Sequence, residues 1–186
     1  MSEMAYNYFS LINCLGLSSS NTHELPAMKK LFRQAMDRCI IDDKIIDPKI
    51  IDPFARQCQW GTLRNDINPE FYPTYTTHMM DALEFLTYIE TNSSDIILFD
   101  PPFSNRQSNE EYNTGNLYTN PAYIVDLGLQ CFRILKPGGY LLKCGYNSNK
   151  PYKGFELKSI ILCQMGASRN DIIMTLWQKV QSSLFD

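Results

Sequence analysis

The chain has 186 residues, 44% of them apolar, with 17 lysines and arginines against 20 aspartates and glutamates. This length and composition suit one domain with a core of its own and exclude a disordered or membranous chain. A net charge of −3 argues against an autonomous, high-affinity nucleic-acid binder, which carries a basic surface, but leaves room for a nucleic-acid enzyme with a local basic patch.

The cysteines Cys14, Cys39, Cys58, Cys131, Cys144 and Cys163 form no closely spaced pair, and His23 and His78 lie far apart. No zinc cluster or disulfide framework is expected; small buried thiols in a reducing cytoplasm fit best. The start of the chain lacks the basic and apolar regions of a secretion signal, and no apolar run is long enough to cross a bilayer, so no membrane partner is expected.

In chain order, residues 1–24 read as a polar, mixed N-terminal segment with a loop at Ser18–Thr22, and residues 25–186 as one domain. Met28, Leu31, Phe32, Ala35, Met36 and Cys39 recur at helical spacing, with Pro26 suited to the first turn. The triplet Ile-Ile-Asp follows at 40, 45 and 50; one copy is expected to be a buried strand ending on an acid. Thr62–Ile67 reads as a strand ending at Asp66, and Met80–Ile89 as a helix. Asp95–Phe99 is a continuous apolar run of the kind found in central parallel strands. Residues 104–121, rich in Asn, Ser, Tyr and Gly, read as a long functional or mobile loop. Ala122–Leu135 is a helix stopped by Lys136-Pro137-Gly138-Gly139, and Tyr140–Cys144 is the next strand. Leu157–Cys163 and Asp171–Trp177 are two more, joined too tightly for a parallel crossover, so the last runs antiparallel. The alternation predicts an α/β fold with an open, mostly parallel sheet.

The chemistry concentrates at Asp100-Pro101-Pro102-Phe103, directly after the strand 95–99. Ligands of open α/β sheets bind outside the carboxyl ends of strands. The prolines fix the loop, so that Asp100 and nearby carbonyls become acceptors for the two N–H groups of an amine, and Phe103 offers a flat face to a base. The tetrapeptide resembles the motif of amino-methyltransferases, in which Asp, Asn or Ser precedes two prolines and an aromatic residue.

Other segments resemble the same family. Asp52-Pro53-Phe54-Ala55 is similar to the start of the cofactor-binding motif of adenine methyltransferases, and Asp66-Ile67-Asn68-Pro69 to the end of their second strand. Asp81-Ala82 is similar to the acid after their third. The chain thus resembles small phage and bacterial adenine-specific (N6) DNA methyltransferases over roughly residues 48–180. The resemblance implies a Rossmann-like class I methyltransferase domain with S-adenosylmethionine as cofactor. Asp52, Pro53, Phe54, Asp66, Asn68, Asp81 and Ala82 would hold the cofactor, Asp66 by its ribose hydroxyls and Asp81 by its adenine; Asp100, Pro101, Pro102 and Phe103 would act on the amine. Two glycines of the family pattern are replaced by Arg56 and Cys58. The interval from Asp52 to Asp66 is too short for a crossover helix, so the first βα unit is abbreviated.

No separate target-recognition domain is expected. The loop 104–121 and the hairpin 166–171 would replace it, with Asn105, Arg106, Asn147, Lys150, Arg169 and Asn170 meeting nucleic acid, DNA before RNA. A homodimer or helper subunit could add contacts. The sequence leaves two other readings open, a non-catalytic methyltransferase-like binding subunit and an RNA methyltransferase acting on guanine N2 or adenine N6.

Overall fold

The computed structural model describes residues 9–15, 21–42, 45–103, 109, 117, 120–166 and 170–180. Among them one sheet of seven strands runs in the order β1-β6-β7-β5-β4-β2-β3. The strands are β1 (Phe9–Asn13), β2 (Ile50–Asp52), β3 (Leu63–Arg64), β4 (Ser94–Phe99), β5 (Leu135–Gly145), β6 (Phe155–Gln164) and β7 (Ile172–Lys179). All neighbouring pairs are parallel except those of β7, which runs antiparallel to both β5 and β6. The expected mostly parallel sheet with an antiparallel last strand is therefore the observed one.

Helix α1 (Pro26–Asp37) begins with Pro26 at its first turn and buries Met28, Leu31 and Ala35 against one face of the sheet. On the opposite face lie α2 (Ala82–Thr87) and α3 (Pro121–Ile134), whose apolar sides meet Ile51, Ile97, Phe99, Leu141 and Trp177. Asn120 caps α3 by accepting from the Ala122 N–H at 3.0 Å, and Pro121 again takes the first turn. Strand β4 is buried along its whole length, as a central parallel strand must be. Among the described residues no helix is long and apolar enough to cross a membrane.

Of the three Ile-Ile-Asp triplets only the third is a strand, β2, and it is fully buried. The first lies in a π-helical turn, Arg38–Asp42, and Ile46 of the second is exposed. Pairing decides which copy enters the sheet. Ile51 lies opposite Ile97 of β4 and opposite Leu63 of β3, so this triplet alone gains partners on both sides.

Four expectations need correction. The segment 1–24 is not merely polar loop, because Phe9–Asn13 adds a parallel edge strand to β6. Exposure alternates along it, with Phe9 and Leu11 outward and Ser10 and Ile12 half-buried, in a five-residue stretch too short to stand out. Cys14 and Cys163, expected as free thiols, are bonded to each other: the β1–β6 register puts their Cα atoms 6.0 Å apart. Cys39, Cys58, Cys131 and Cys144 are buried and free. The strand expected over 62–67 is only two residues long. Asp66 turns the chain by accepting from the Asn68 N–H, and a lone bridge from Asn65 to His78 stands where a third strand was expected. Finally, β5 starts at Leu135 rather than Tyr140, since Leu135 already pairs with Ser94.

The β2–β3 connection passes very close to the strand it leaves. A Cβ on Gly61 would sit 3.0 Å from Asp52 Cβ and 3.1 Å from the Leu63 carbonyl oxygen. Gly61→Ala should therefore lower stability by about 1–3 kcal/mol, read as a fall in the urea midpoint at unchanged slope. An unchanged midpoint would mean that the loop yields freely there.

Candidate active site at the carboxyl edge of the sheet

Strands β2 and β4 are neighbours and parallel, so their carboxyl ends bring Asp52 and Asp100 to the same edge. Asp52 is 3% exposed. Its carboxylate accepts from the Phe54 N–H at 3.1 Å and from the Cys58 thiol. Asp100 is partly buried and accepts from the Thr22 hydroxyl and the Cys144 thiol.

Burial raises the Asp52 pKa from 3.8 to about 8, against the Phe54 hydrogen bond and reinforced by the negative charge of Asp100. Burial also raises Asp100 to about 6, while Thr22, Arg56 and Cys144 oppose the rise. The Cys58 and Cys144 thiols are pushed upward by burial and by these same carboxylates, so both stay protonated and act as donors. Asn21, Thr22 and His23 line one side of the cleft around the two acids, and Phe54, Ala55 and Arg56 the other. The cleft is narrow, with about 20 Å³ of free space, room for about one water.

The loop 53–62 replaces the first crossover helix, as the short interval predicted. Arg56 stands where the family pattern has glycine, and its φ is +47°, the left-handed region that favours glycine. The loop thus keeps a glycine-like path at the cost of a strained arginine. Its N–H is held by Asp66 Oδ2 at 3.1 Å, and its guanidinium lies 5.5 Å from the centre of the Phe71 ring.

Asp66 is 2% exposed, and its two oxygens accept from the main-chain N–H groups of Arg56 and Asn68. It thereby shapes the loop, with each oxygen keeping a further lone pair. Asn68 accepts from the Glu70 N–H and caps a short 3-10 turn. Asp81 caps α2 through the N–H groups of Leu83 and Glu84 and accepts from the Tyr123 hydroxyl at 2.6 Å, tying α2 to α3; Ala82 is buried behind it. Pro53 is buried, and its carbonyl accepts from Asn65 Nδ2.

On the α3 side of β4 the tetrapeptide opens on a larger cavity of about 500 Å³, lined by Pro101, Pro102, Phe103, Tyr146, Asn147 and Lys150 among others. The Phe103 and Tyr146 rings are 5.2 Å apart and tilted by 60°. Lys143 fixes the loop after β5: its Nζ donates to the Asn147 carbonyl, Asn147 Oδ1 and the Asn149 carbonyl. Asn147 lines this cavity, and its side-chain oxygen accepts from Lys143 Nζ and the Asn149 N–H. Asn170 is exposed just ahead of β7, and the end of β6 lies at the same carboxyl edge, because β6 runs parallel to β4. Asn105, Arg106 and Arg169 lie outside the described residues.

Sequence reasoning missed Thr22, Lys143 and Tyr146. Tyr146 carried a usable signal, an aromatic residue immediately past the end of a parallel strand. Thr22 carried none, since its place depends on how the N-terminal segment folds back.

Among solved structures the same chain path recurs. The N-methyltransferase NodS from Bradyrhizobium japonicum, in complex with S-adenosyl-L-homocysteine, is similar at TM-score 0.52 and 9% identity over 85% of this chain and 90% of its own. A Listeria monocytogenes protein assigned to the class I S-adenosylmethionine-dependent methyltransferases is similar at 0.57 and 14% identity, over 91% of this chain and 64% of its own. TrmN from Thermus thermophilus is similar at 0.57 and 15% identity, over 82% of this chain and 48% of its own. The chain thus spans about half the length of TrmN. No family model and no curated protein sequence matches it. The fold is that of the class I methyltransferases, a Rossmann-like sheet with an antiparallel last strand, and the likeness is one of fold.

The two raised carboxylates link stability to pH. Folded protein keeps a proton on Asp52 that unfolded chain releases, so this contribution is complete below pH ~4 and is lost as pH rises towards 8. Asp100 adds the same trend between about 4 and 6. Asp52→Asn should flatten the fall in melting temperature between pH 6 and 8. An equal fall in wild type and variant would contradict the raised Asp52.

Proposed function

We propose that this chain transfers a methyl group from S-adenosylmethionine to an exocyclic amine, most directly N6 of adenine in DNA. The observation that carries the reading is the position of Asp100-Pro101-Pro102-Phe103. It leaves the central strand β4 beside Asp52, with an acidic cleft on one side and the cavity of about 500 Å³ on the other. The class I methyltransferase fold and the S-adenosyl-L-homocysteine held by NodS support the cofactor.

The donor chemistry of the cleft suits such a ligand. Burial raises both carboxyls and keeps Asp52 mostly protonated at pH 7, and a sulfonium or an ammonium beside them would favour their ionised forms. S-adenosylmethionine, when bound, supplies a methyl carbon that is already electrophilic. Asp52 would face its cationic end, and the main chain of 53–56 would lie along it. The free space of about 20 Å³ is far smaller than such a ligand, so the loop 53–58 would have to open to admit it. Asp66 would act through that loop, and Asp81 through the start of α2, near the nucleoside end.

The chain's own part in transfer is alignment and acceptance of protons. Asp100 and the carbonyls of the double-proline turn would accept from the amine N–H groups and stabilise positive charge growing on nitrogen. Phe103 would hold the plane of the base, with Tyr146 as the facing ring. Asn147 and Lys150 at the rim, with Asn105, Arg106, Arg169 and Asn170, would meet the strand that carries the base. A second copy of the chain or a helper subunit would supplement this small surface.

The test is mass spectrometry of DNA and RNA nucleosides from cells expressing the chain. N6-methyladenine in DNA should rise with wild type and not with Asp100→Ala, and Phe103→Ala should lower the yield about tenfold or more, since stacking contributes roughly 1–3 kcal/mol per base. A rise in N2-methylguanine in RNA would move the substrate, and no rise in any methylated nucleoside would reject the reading.

A further inference from the structure

The segment ahead of α1 lines the cleft with Asn21, Thr22 and His23, and Thr22 touches Asp100 directly. The Thr22 hydroxyl donates to Asp100 Oδ2, across 78 positions of sequence. Thr22 is buried, although it lies in a short 3-10 turn, Thr22–Glu24, ahead of α1. The turn is held from several sides. The Leu25 N–H donates to the Thr22 carbonyl at 3.1 Å, and the Leu25 side chain is buried in the core. The His23 ring meets Trp60 edge-on at 6.0 Å, and Trp60 stacks on Phe32 of α1 at 4.3 Å. Threonine is branched at Cβ and stiff about χ1, so a fixed main chain leaves its hydroxyl few directions.

We infer that Thr22 is the positioning residue for Asp100, holding the carboxylate in the orientation and the ionised form in which it can accept from the substrate amine. This inference rests on the reading of Asp100 as the amine acceptor. A hydroxyl has one proton to give. Donated to Oδ2, it restrains the rotation of the carboxylate, and the lone pairs that Thr22 and the Cys144 thiol leave unused can accept from the amine. It also opposes burial, which favours the protonated acid, and a protonated Asp100 would offer a donor where an acceptor is needed.

The titratable and charged groups around Asp100 come from three elements. Asp52, Arg56 and Cys58 lie at β2 and its loop, Cys144 in β5, and His23 beside Thr22. Arg56 favours the ionised form and Asp52, when charged, disfavours it. The two thiols stay neutral, and burial lowers the pKa of His23, favouring its neutral form. Thr22 and Cys144 are the neutral donors to Asp100, and of the two Thr22 is a hydroxyl, a stronger donor than a thiol. The residues ahead of α1 thereby complete the site, although none of them belongs to the tetrapeptide or to the cofactor loop.

The experiment is a carboxyl carbon NMR titration of Asp100, assigned with Asp100→Asn, in wild type, Thr22→Val and Thr22→Ser, each checked for fold by circular dichroism. Wild type should titrate near 6, Thr22→Val roughly one pH unit higher, and Thr22→Ser as wild type. The acid limb of methylation of a synthetic adenine-containing oligonucleotide should move upward in parallel, with the rate recovering at high pH. Thr22→Ala provides the same comparison should the valine variant not fold. An Asp100 that titrates at the same pH with and without the hydroxyl would overturn the inference. If Asp100 shifts as expected but no protein methylates an oligonucleotide, Thr22 still holds Asp100 and the failure belongs to the proposed function.

Discussion

The site depends on one electrostatic fact, the placing of two carboxylates at the ends of adjacent buried strands. Asp52 and Asp100 share an edge because Ile50 and Ile51 pair with Ile96 and Ile97. Burial makes their charged forms expensive, and every nearby donor answers that cost: the Phe54 N–H, the thiols of Cys58 and Cys144, and the Thr22 hydroxyl. No lysine bridges the pair among the hydrogen bonds of the described residues. A cationic ligand is the natural complement to such a site, and the neighbouring loop, cleft and cavity follow from it.

The chain reaches this arrangement with few parts. The first crossover is a loop, β3 is two residues long, the chain before α2 pairs beside it through the lone Asn65–His78 bridge, and no helix stands between β5 and β6 in residues 146–154. What remains is held by side chains that fasten main chain. Asp66 fixes the loop through Arg56 and Asn68, Asp81 caps α2 and reaches Tyr123, and Lys143 gathers the turn after β5. Acids that look like ligand groups in the sequence are thus also structural fasteners, because a small domain with short connections has few other ways to pin them.

Much of the fold was legible because it rests on local signals. The unbroken apolar run of β4, the periodic face of α1 and the tight turn before β7 each specify their element without help from elsewhere. The tetrapeptide and the strand before it were legible for the same reason. The rest depends on contacts distant in sequence. The edge strand β1 and the Thr22–Asp100 contact exist only after the N-terminal segment has folded back. The engagement of Asp66 could not be read from its type, since a carboxylate at a strand end serves a ribose or a main-chain N–H equally well. Arg56 in place of glycine looked like a broken motif, whereas the backbone keeps the glycine-like conformation and Asp66 holds it there.

If the acidic pair is the seat of a cationic cofactor, binding must draw a proton from it. Asp52, with a pKa of about 8, is mostly protonated at pH 7 and would ionise beside a sulfonium or ammonium. Calorimetric titration with S-adenosylmethionine at pH 7, in buffers of different ionisation enthalpy, measures that proton directly. The account predicts binding with release of close to one proton, abolished in Asp52→Asn. Absence of binding, or binding with no proton released, would contradict it.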